Sequence, residues 1–348
     1  MTARIGVVGI GWWATVNHIP TIRDCPEAEI VAICDLDAGR LKAAGDKFGI
    51  AARYQDLDQM LARERLDGVM VSTPHTAHAA PAIAALRAGC HVLVEKPMAT
   101  TGADGRAIAD AARAAGKEVI IPTAINFTRF TAQAVDWVRA GRIGRLRHAV
   151  CQMGSALDDL FAGQPMLETE GDLFRPPAST WADPARAGGY GWGQMSHSLA
   201  WLTHVGDLAF DCVCCMDGKS ASGVDYYDAA CARTTSGATV ALSGSATMPK
   251  HKGLHVDIRL YGSEGVIMFD TERARLTLSR LDSTEEAFDI TPAEAHYDGT
   301  LPVRAFARLC AGEDVVNASD AECGARVTEA LEAMYRSAAT GQLTRIGG

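Results

Sequence analysis

The sequence predicts an α/β chain of two domains: an N-terminal doubly wound parallel sheet and a C-terminal α/β domain with an open, mostly antiparallel sheet. Three observations predict it. Strand-like and helix-like stretches alternate over the first ~120 residues. The strands there are apolar throughout, as in Gly68-Val69-Met70-Val71, which suits a sheet covered on both faces. Farther on, Val256, Ile258 and Leu260 alternate with His255, Asp257 and Arg259, the period of a strand with one face buried.

The first strand, from Arg4, runs straight into Gly9-x-Gly11-x-x-Ala14. Gly9 permits a tight turn, Gly11 has no Cβ to block a pyrophosphate, and Ala14 is small enough for helix to pack on strand. The helix N-terminus then offers unpaired N–H groups to phosphate. The second strand, 28–35, ends on Asp35, where a ribose hydroxyl needs an acceptor. Strand, turn and terminal acid together predict a nicotinamide dinucleotide site. No basic residue immediately follows Asp35, so a 2′-phosphate would meet a carboxylate and NAD is favoured over NADP. Trp12 and Trp13 either line the nicotinamide pocket or pack under the turn.

Helices are expected over 37–48 and 56–63, with Tyr54 in a short connection between them. The strand 68–72 is broken by Thr73-Pro74, and an alanine-rich helix over 76–88 is closed by Gly89. A strand over 91–95, a helix over 103–115 and a strand over 118–121 complete the first domain. Pro122 marks the boundary, giving domains 1–122 and 123–348. The second half opens with a helix over 131–140 and a strand over 146–153. A Pro- and Gly-rich irregular stretch, 155–193, comes next, and so long a loop is more often functional than idle. Arg175 and Trp181 within it suit a polyhydroxylated ligand, which aromatic faces stack on and charged groups hydrogen-bond. A helix over 194–205, strands over 210–216, 229–234, 238–246, 254–261 and 266–269, and a final helix over 318–339 follow.

A chain of 348 residues has room for two cores, and a formal net charge of −9 argues against nucleic acid as a partner. No segment approaches the ~18 apolar residues that span a bilayer, so no membrane partner is expected. The first strand begins at once, so no leader peptide is expected. Ten scattered cysteines, most in apolar runs, read as reduced thiols and a cytoplasmic setting. His75-x-x-His78 and Cys212-x-Cys214-Cys215 have ligand-like spacings, but neither has the second pair a structural zinc site needs, so no metal is expected.

Glu95-Lys96-Pro97 ends a strand of the nucleotide sheet, where such sheets place their ligands. A partly desolvated lysine there can hold or polarise a substrate hydroxyl. Gly9-x-Gly11-x-x-Ala14, Asp35, Ser72-Thr73-Pro74 with His75 and His78, and Glu95-Lys96-Pro97 occur in that order. Asn126-Phe127-x-Arg129-Phe130, Gly188-Gly189, His197 and Gly262-x-x-Gly265 complete the series. In this order, the chain resembles the glucose–fructose oxidoreductase / inositol dehydrogenase / MocA-type (Gfo/Idh/MocA) family over nearly its whole length. The resemblance implies a Rossmann domain followed by a substrate and oligomerisation domain, with the site between Lys96 and His197. It implies NAD-dependent oxidation of a secondary hydroxyl on a sugar, glycoside or cyclitol. It further implies a homo-oligomer, dimer or tetramer. Lys96 and His197 would manage the proton, and the motifs through Glu95 and Asn126 would hold the cofactor. A keto-sugar or aldehyde reductase of the same family and a non-catalytic NAD-binding regulator are the alternatives.

One departure stands out. The family usually carries Asp-x-Gly-x-His, but here those places read Gly193-Gln194-Met195-Ser196-His197. Gln194 can hydrogen-bond substrate, yet it supplies no negative charge to the histidine, which shifts proton work toward Lys96.

Overall fold

The structure, a computed structural model, describes residues 2–347 and divides into two compact units. The first unit contains β1 (Ala3–Val8), β2 (Ala28–Cys34), β3 (Ala52–Tyr54), β4 (Gly68–Val71), β5 (His91–Val94) and β6 (Val119–Ile120). They form a parallel sheet in the order β3-β2-β1-β4-β5-β6. The order reverses between β1 and β4, and a ligand crevice opens outside the carboxyl ends of such a pair. Ile5, Val7 and all of Val69 to Val71 are fully buried, as continuous apolar strands require. Side chains start the flanking helices: Asp37 accepts from the Gly39 and Arg40 N–H groups, and Thr101 accepts from Asp104 N–H. β3 corrects the expected connection at Tyr54. Three partly buried residues carry no period of their own, and pairing with β2 makes them a strand.

This unit also takes in 165–180 and 299–325, where the sequence suggested a single cut after Pro122. The reason is packing. The helix Thr300–Cys310 buries Val303 and Phe306, and Gly68 of β4 leaves the room a Cβ would take from Phe306 and Cys310. Ile121 N–H donates to the Ser319 carbonyl at 2.9 Å. Arg106 spans both carboxylate oxygens of Glu322 at 2.8 Å.

The second unit holds β7 (Leu146–Gly154), β8 (Phe210–Lys219), β9 (Asp225–Thr234), β10 (Thr239–Ser245) and β11 (His255–Gly262). β12 (Gly265–Asp270), β13 (Arg275–Arg280), β14 (Glu285–Asp289) and β15 (Thr344–Arg345) complete it. They form one nine-stranded sheet, β14-β13-β12-β11-β7-β10-β9-β8-β15. Only the β7–β10 pair is parallel, so the expected open, mostly antiparallel sheet is what forms. β13 to β15 lie beyond the strands foreseen, being short and, in β14, largely charged. The helices Arg129–Arg139 and Ser196–Gly206 meet this sheet through aromatic stacking. Phe130 and Trp201 lie 5.2 and 5.4 Å from the Phe269 ring. Trp201 Nε1–H donates to the Thr131 hydroxyl at 3.0 Å. Among the described residues no helix is long and apolar enough to cross a membrane.

Candidate active site

In the first unit the sequence motifs converge on the carboxyl ends of neighbouring strands. Gly9 follows β1 with φ +84°, and a Cβ there would lie 2.6 Å from the Ser72 and Thr73 backbone, so only glycine lets the turns after β1 and β4 touch. A Cβ on Gly11 would meet nothing within 4 Å. That open space leaves room for a pyrophosphate to approach the backbone. Asp35 accepts from Ile10 N–H at 2.7 Å and from Asp37 N–H at 2.9 Å, which ties the acid to the glycine turn. The Ser72 hydroxyl is buried without a hydrogen-bond partner among the described residues. An open cradle, a terminal acid and an orphaned hydroxyl fit an adenine dinucleotide. Trp12 and Trp13 sit 5.3 Å apart in the turn.

The Glu95-Lys96-Pro97 turn follows β5 and contains a cis Lys96–Pro97 bond. Glu95 is buried and held twice: His18 Nε2 lies 2.9 Å from Oε1, and Lys96 N–H donates to Oε2 at 3.0 Å. Burial alone raises the Glu95 pKa. The His18 hydrogen bond and the charges of His18, Lys96 and His78 outweigh it and hold the carboxyl below the ordinary glutamate value. Burial pushes the Lys96 ammonium below the ordinary lysine value, against the opposing pull of Glu95. His18 is a participant the sequence reading missed. A lone histidine beyond the glycine turn carries no motif, and only the fold brings it to Glu95.

Buried His75 and His78 stand in the segment after β4. The His78 ring nitrogens meet the Pro97 and Thr73 carbonyls, each at 2.8 Å, so His78 joins the Lys96 turn to the turn after β4 from inside. Burial lowers its pKa, which the two carbonyls oppose. Thr73 donates to the Ala77 carbonyl at 2.8 Å, while Pro74 is exposed.

In the second unit, His197 lies in the first turn of the helix Ser196–Gly206, 3% exposed. The Tyr297 ring meets it edge-on at 5.5 Å. Tyr297 is a second neighbour sequence reasoning missed, for it lies in a stretch without pattern. Asn126 supports the same helix, its Nδ2 donating to the Ala200 carbonyl at 3.2 Å. The glycine standing where the family's aspartate would be is closely packed. A Cβ on Gly193 would lie 3.0 Å from Phe161 and 3.1 Å from Trp181, whose rings meet edge-on at 6.2 Å. Aromatic carbon packs tightly against the place a Cβ would take. Trp181 is half-buried in that wall, and Gln194 is half-buried one residue beyond Gly193.

The turn ahead of His197 is held by a polar clamp instead. Asp225 of β9 accepts from Gly191 N–H and from the Tyr335 hydroxyl, both at 2.7 Å. The Tyr335 oxygen accepts from Trp192 N–H at 3.2 Å, and the two rings stack at 5.2 Å. Beside the clamp, buried Asp228 shares a hydrogen bond with Asp225; burial first, then the Asp225 charge, pushes its pKa well above the ordinary aspartate value.

Arg175 and Trp181, expected together in a substrate loop, fall in different units. Arg175 is exposed in the first unit, 4.0 Å from Glu170. Among the described residues no group of three or more His, Cys, Asp or Glu side chains is placed to hold a metal ion.

Comparison with known proteins gives each half a counterpart. Residues 3–122 match the model described as an oxidoreductase family with an NAD-binding Rossmann fold. Residues 131–268 match the Gfo/Idh/MocA C-terminal domain. A D-apiose dehydrogenase of Paraburkholderia graminis is 36% identical over 161 residues, covering 46% of this chain and 42% of that protein. An inositol 2-dehydrogenase of Salmonella paratyphi B is 33% identical over 148 residues, covering 42% of this chain and 44% of its own. The matches thus span less than half the length of these relatives. The fold is shared with the WlbA dehydrogenase of Bordetella pertussis, solved with NADH and UDP-GlcNAcA. That likeness has a TM-score of 0.76 at 24% identity and covers 100% of this chain and 98% of the other.

Proposed function

The chain belongs to the Gfo/Idh/MocA oxidoreductase family, and from that premise we propose that it is an NAD-dependent dehydrogenase oxidising a secondary hydroxyl of a sugar, glycoside or cyclitol. The observation that carries this reading is the Lys96 turn, which holds a proton-labile amine at the end of β5, braced by Glu95, His18 and His78. When bound, the nicotinamide supplies the acceptor for the hydride that leaves the carbinol carbon. Lys96 holds the substrate hydroxyl and takes or shares its proton, a task its lowered pKa favours. His197 is the second acid/base group. Position 193 holds glycine where the family usually carries aspartate, and the lowered Lys96 pKa favours Lys96 for most of the proton work. Trp181 and Gln194 contact the polyhydroxylated substrate, and Arg175 is an outer contact. Gly9, Gly11, Trp12, Trp13, Asp35, Ser72, Thr73 and Pro74, with His75, His78, Glu95 and Asn126 in support, form the cofactor side. NAD rather than NADP is the cofactor, because two backbone N–H groups hold the Asp35 carboxylate where a 2′-phosphate would repel it.

The chain acts as a cytoplasmic homo-oligomer that pairs through the open face of the nine-stranded sheet. Met216 is 74% exposed there and Tyr227 46%. Light scattering of the purified protein reads that state directly, and a monomer would refute it. The catalytic proposal is tested by Lys96→Ala, assayed for turnover and, by calorimetry, for NAD binding. Turnover falls at least about 100-fold, the usual contribution of a positioned acid–base group, while NAD still binds. Unchanged turnover would remove Lys96 from the chemistry.

A further inference from the structure

Residues 165–180 lie within the long irregular stretch, yet they fold onto the nucleotide-binding unit. Two contacts anchor them. Trp12 Nε1–H donates to Asp172 Oδ2 at 2.7 Å. The Arg40 guanidinium lies over the Phe174 ring, 5.9 Å from its centroid. These anchors sit at chemically distinct places. Trp12 is the residue after Gly11, beside the open space of the glycine turn. Arg40 is in the first turn of the helix Ala38–Phe48, which follows Asp35. Asp172 and Phe174 therefore bridge from the pyrophosphate turn to the side of the crevice that takes the adenosine ribose.

We propose that Asp172–Phe174 is a strap across the ADP half of the dinucleotide site, with Phe174 an apolar wall for the adenosine end and Asp172 the latch that holds the strap to Trp12. The proposal rests on the dinucleotide reading above and adds residues to it. A latch through a tryptophan indole needs an acceptor, not a charge. A carboxylate near the pyrophosphate also repels it, so asparagine in place of Asp172 keeps the latch and removes the repulsion. A strap of this kind slows exchange: the ligand leaves only after the latch opens, so the effect falls on the dissociation rate.

Calorimetry and stopped-flow binding with ADP-ribose and with NAD test the strap without any substrate. Phe174→Ala and Asp172→Ala each weaken both ligands about tenfold, mostly through faster dissociation, the scale of one lost aromatic or latch contact. Asp172→Asn binds ADP-ribose at least as tightly as the wild type. Thermal melting of each variant confirms that it is folded, and Phe174→Leu serves where Phe174→Ala does not fold. Variants that bind and release ADP-ribose like the wild type overturn the strap and leave the dinucleotide reading standing. A wild-type protein that binds neither ligand overturns both.

Discussion

The two units each bury a carboxylate, one next to Lys96 and one beside the clamp ahead of His197, and they treat it in opposite ways. Glu95, next to Lys96, is surrounded by donors and lies below the ordinary glutamate value. Asp228 lies beside Asp225, whose carboxylate holds the turn ahead of His197, and it is pushed well above the ordinary aspartate value. Both acids are desolvated, so burial alone cannot distinguish them; the neighbours decide. In the first unit histidines and a lysine stabilise the charge. In the second, burial first and then a neighbouring acid raise the Asp228 pKa. The first unit is thus arranged around a fixed negative charge, and the second around hydrogen bonds and aromatic packing.

The comparison breaks most visibly at Glu95. Glu95→Gln removes a charged hydrogen-bond partner from His18 and lowers unfolding stability at neutral pH by about 2 kcal/mol. Because the folded Glu95 pKa is depressed, its contribution is present above the ordinary value of 4.5 and is lost as pH falls through the folded pKa. Chemical denaturation across an acid series checks this: the gap between wild type and variant closes as pH falls below 4.5, and a gap independent of pH contradicts it.

Asp228→Asn sharpens the opposite side. The groups around the Asp225–Asp228 pair are Asp217, Lys219 and Tyr335. A raised folded pKa contributes stability at low pH that is lost as pH rises from 3.8 through the folded value. The wild type therefore loses up to about 1.4 kcal/mol per pH unit in that window, and Asp228→Asn abolishes this slope. Parallel slopes in the two proteins would show that Asp228 does not hold the proton. The smallest effect is expected from Tyr335→Phe, which leaves Trp192 N–H without its acceptor and costs about 1 kcal/mol. If Tyr335 serves as part of the clamp that places His197, the variant also lowers kcat more than it raises KM. Lost stability with wild-type kcat would make the clamp purely structural.

How much was legible in the sequence follows from what kind of signal each part carries. β1, its glycine turn and Asp35 are local: the residues that make the turn also carry the proposed cofactor site, and the turn was readable. The Glu95-Lys96-Pro97 turn was readable for the same reason, down to its place at the end of a strand. His18 and Tyr297 were not, because each reaches its partner only through tertiary folding. Asp172 lies in the irregular stretch 155–193, of which only Arg175 and Trp181 were singled out for a ligand; its hydrogen bond to Trp12 links positions far apart in the chain, and no periodicity records such a pairing. β3 and β13 to β15 were missed because short or charged strands owe their state to the neighbours they pair with. The glycine at 193 was seen as a departure, but its close packing against the Phe161 and Trp181 rings is tertiary and carries no sequence signal.

The central claim is NAD-dependent oxidation of a polyol hydroxyl, and its most direct measurement is NADH formation by the purified protein. The protein would be offered NAD with a panel of cyclitols, hexoses, pentoses and glycosides. The account predicts turnover on a related cluster of these compounds, sharing the hydroxyl that is read. Demonstrable NAD binding with no NADH from any member of the panel would contradict it.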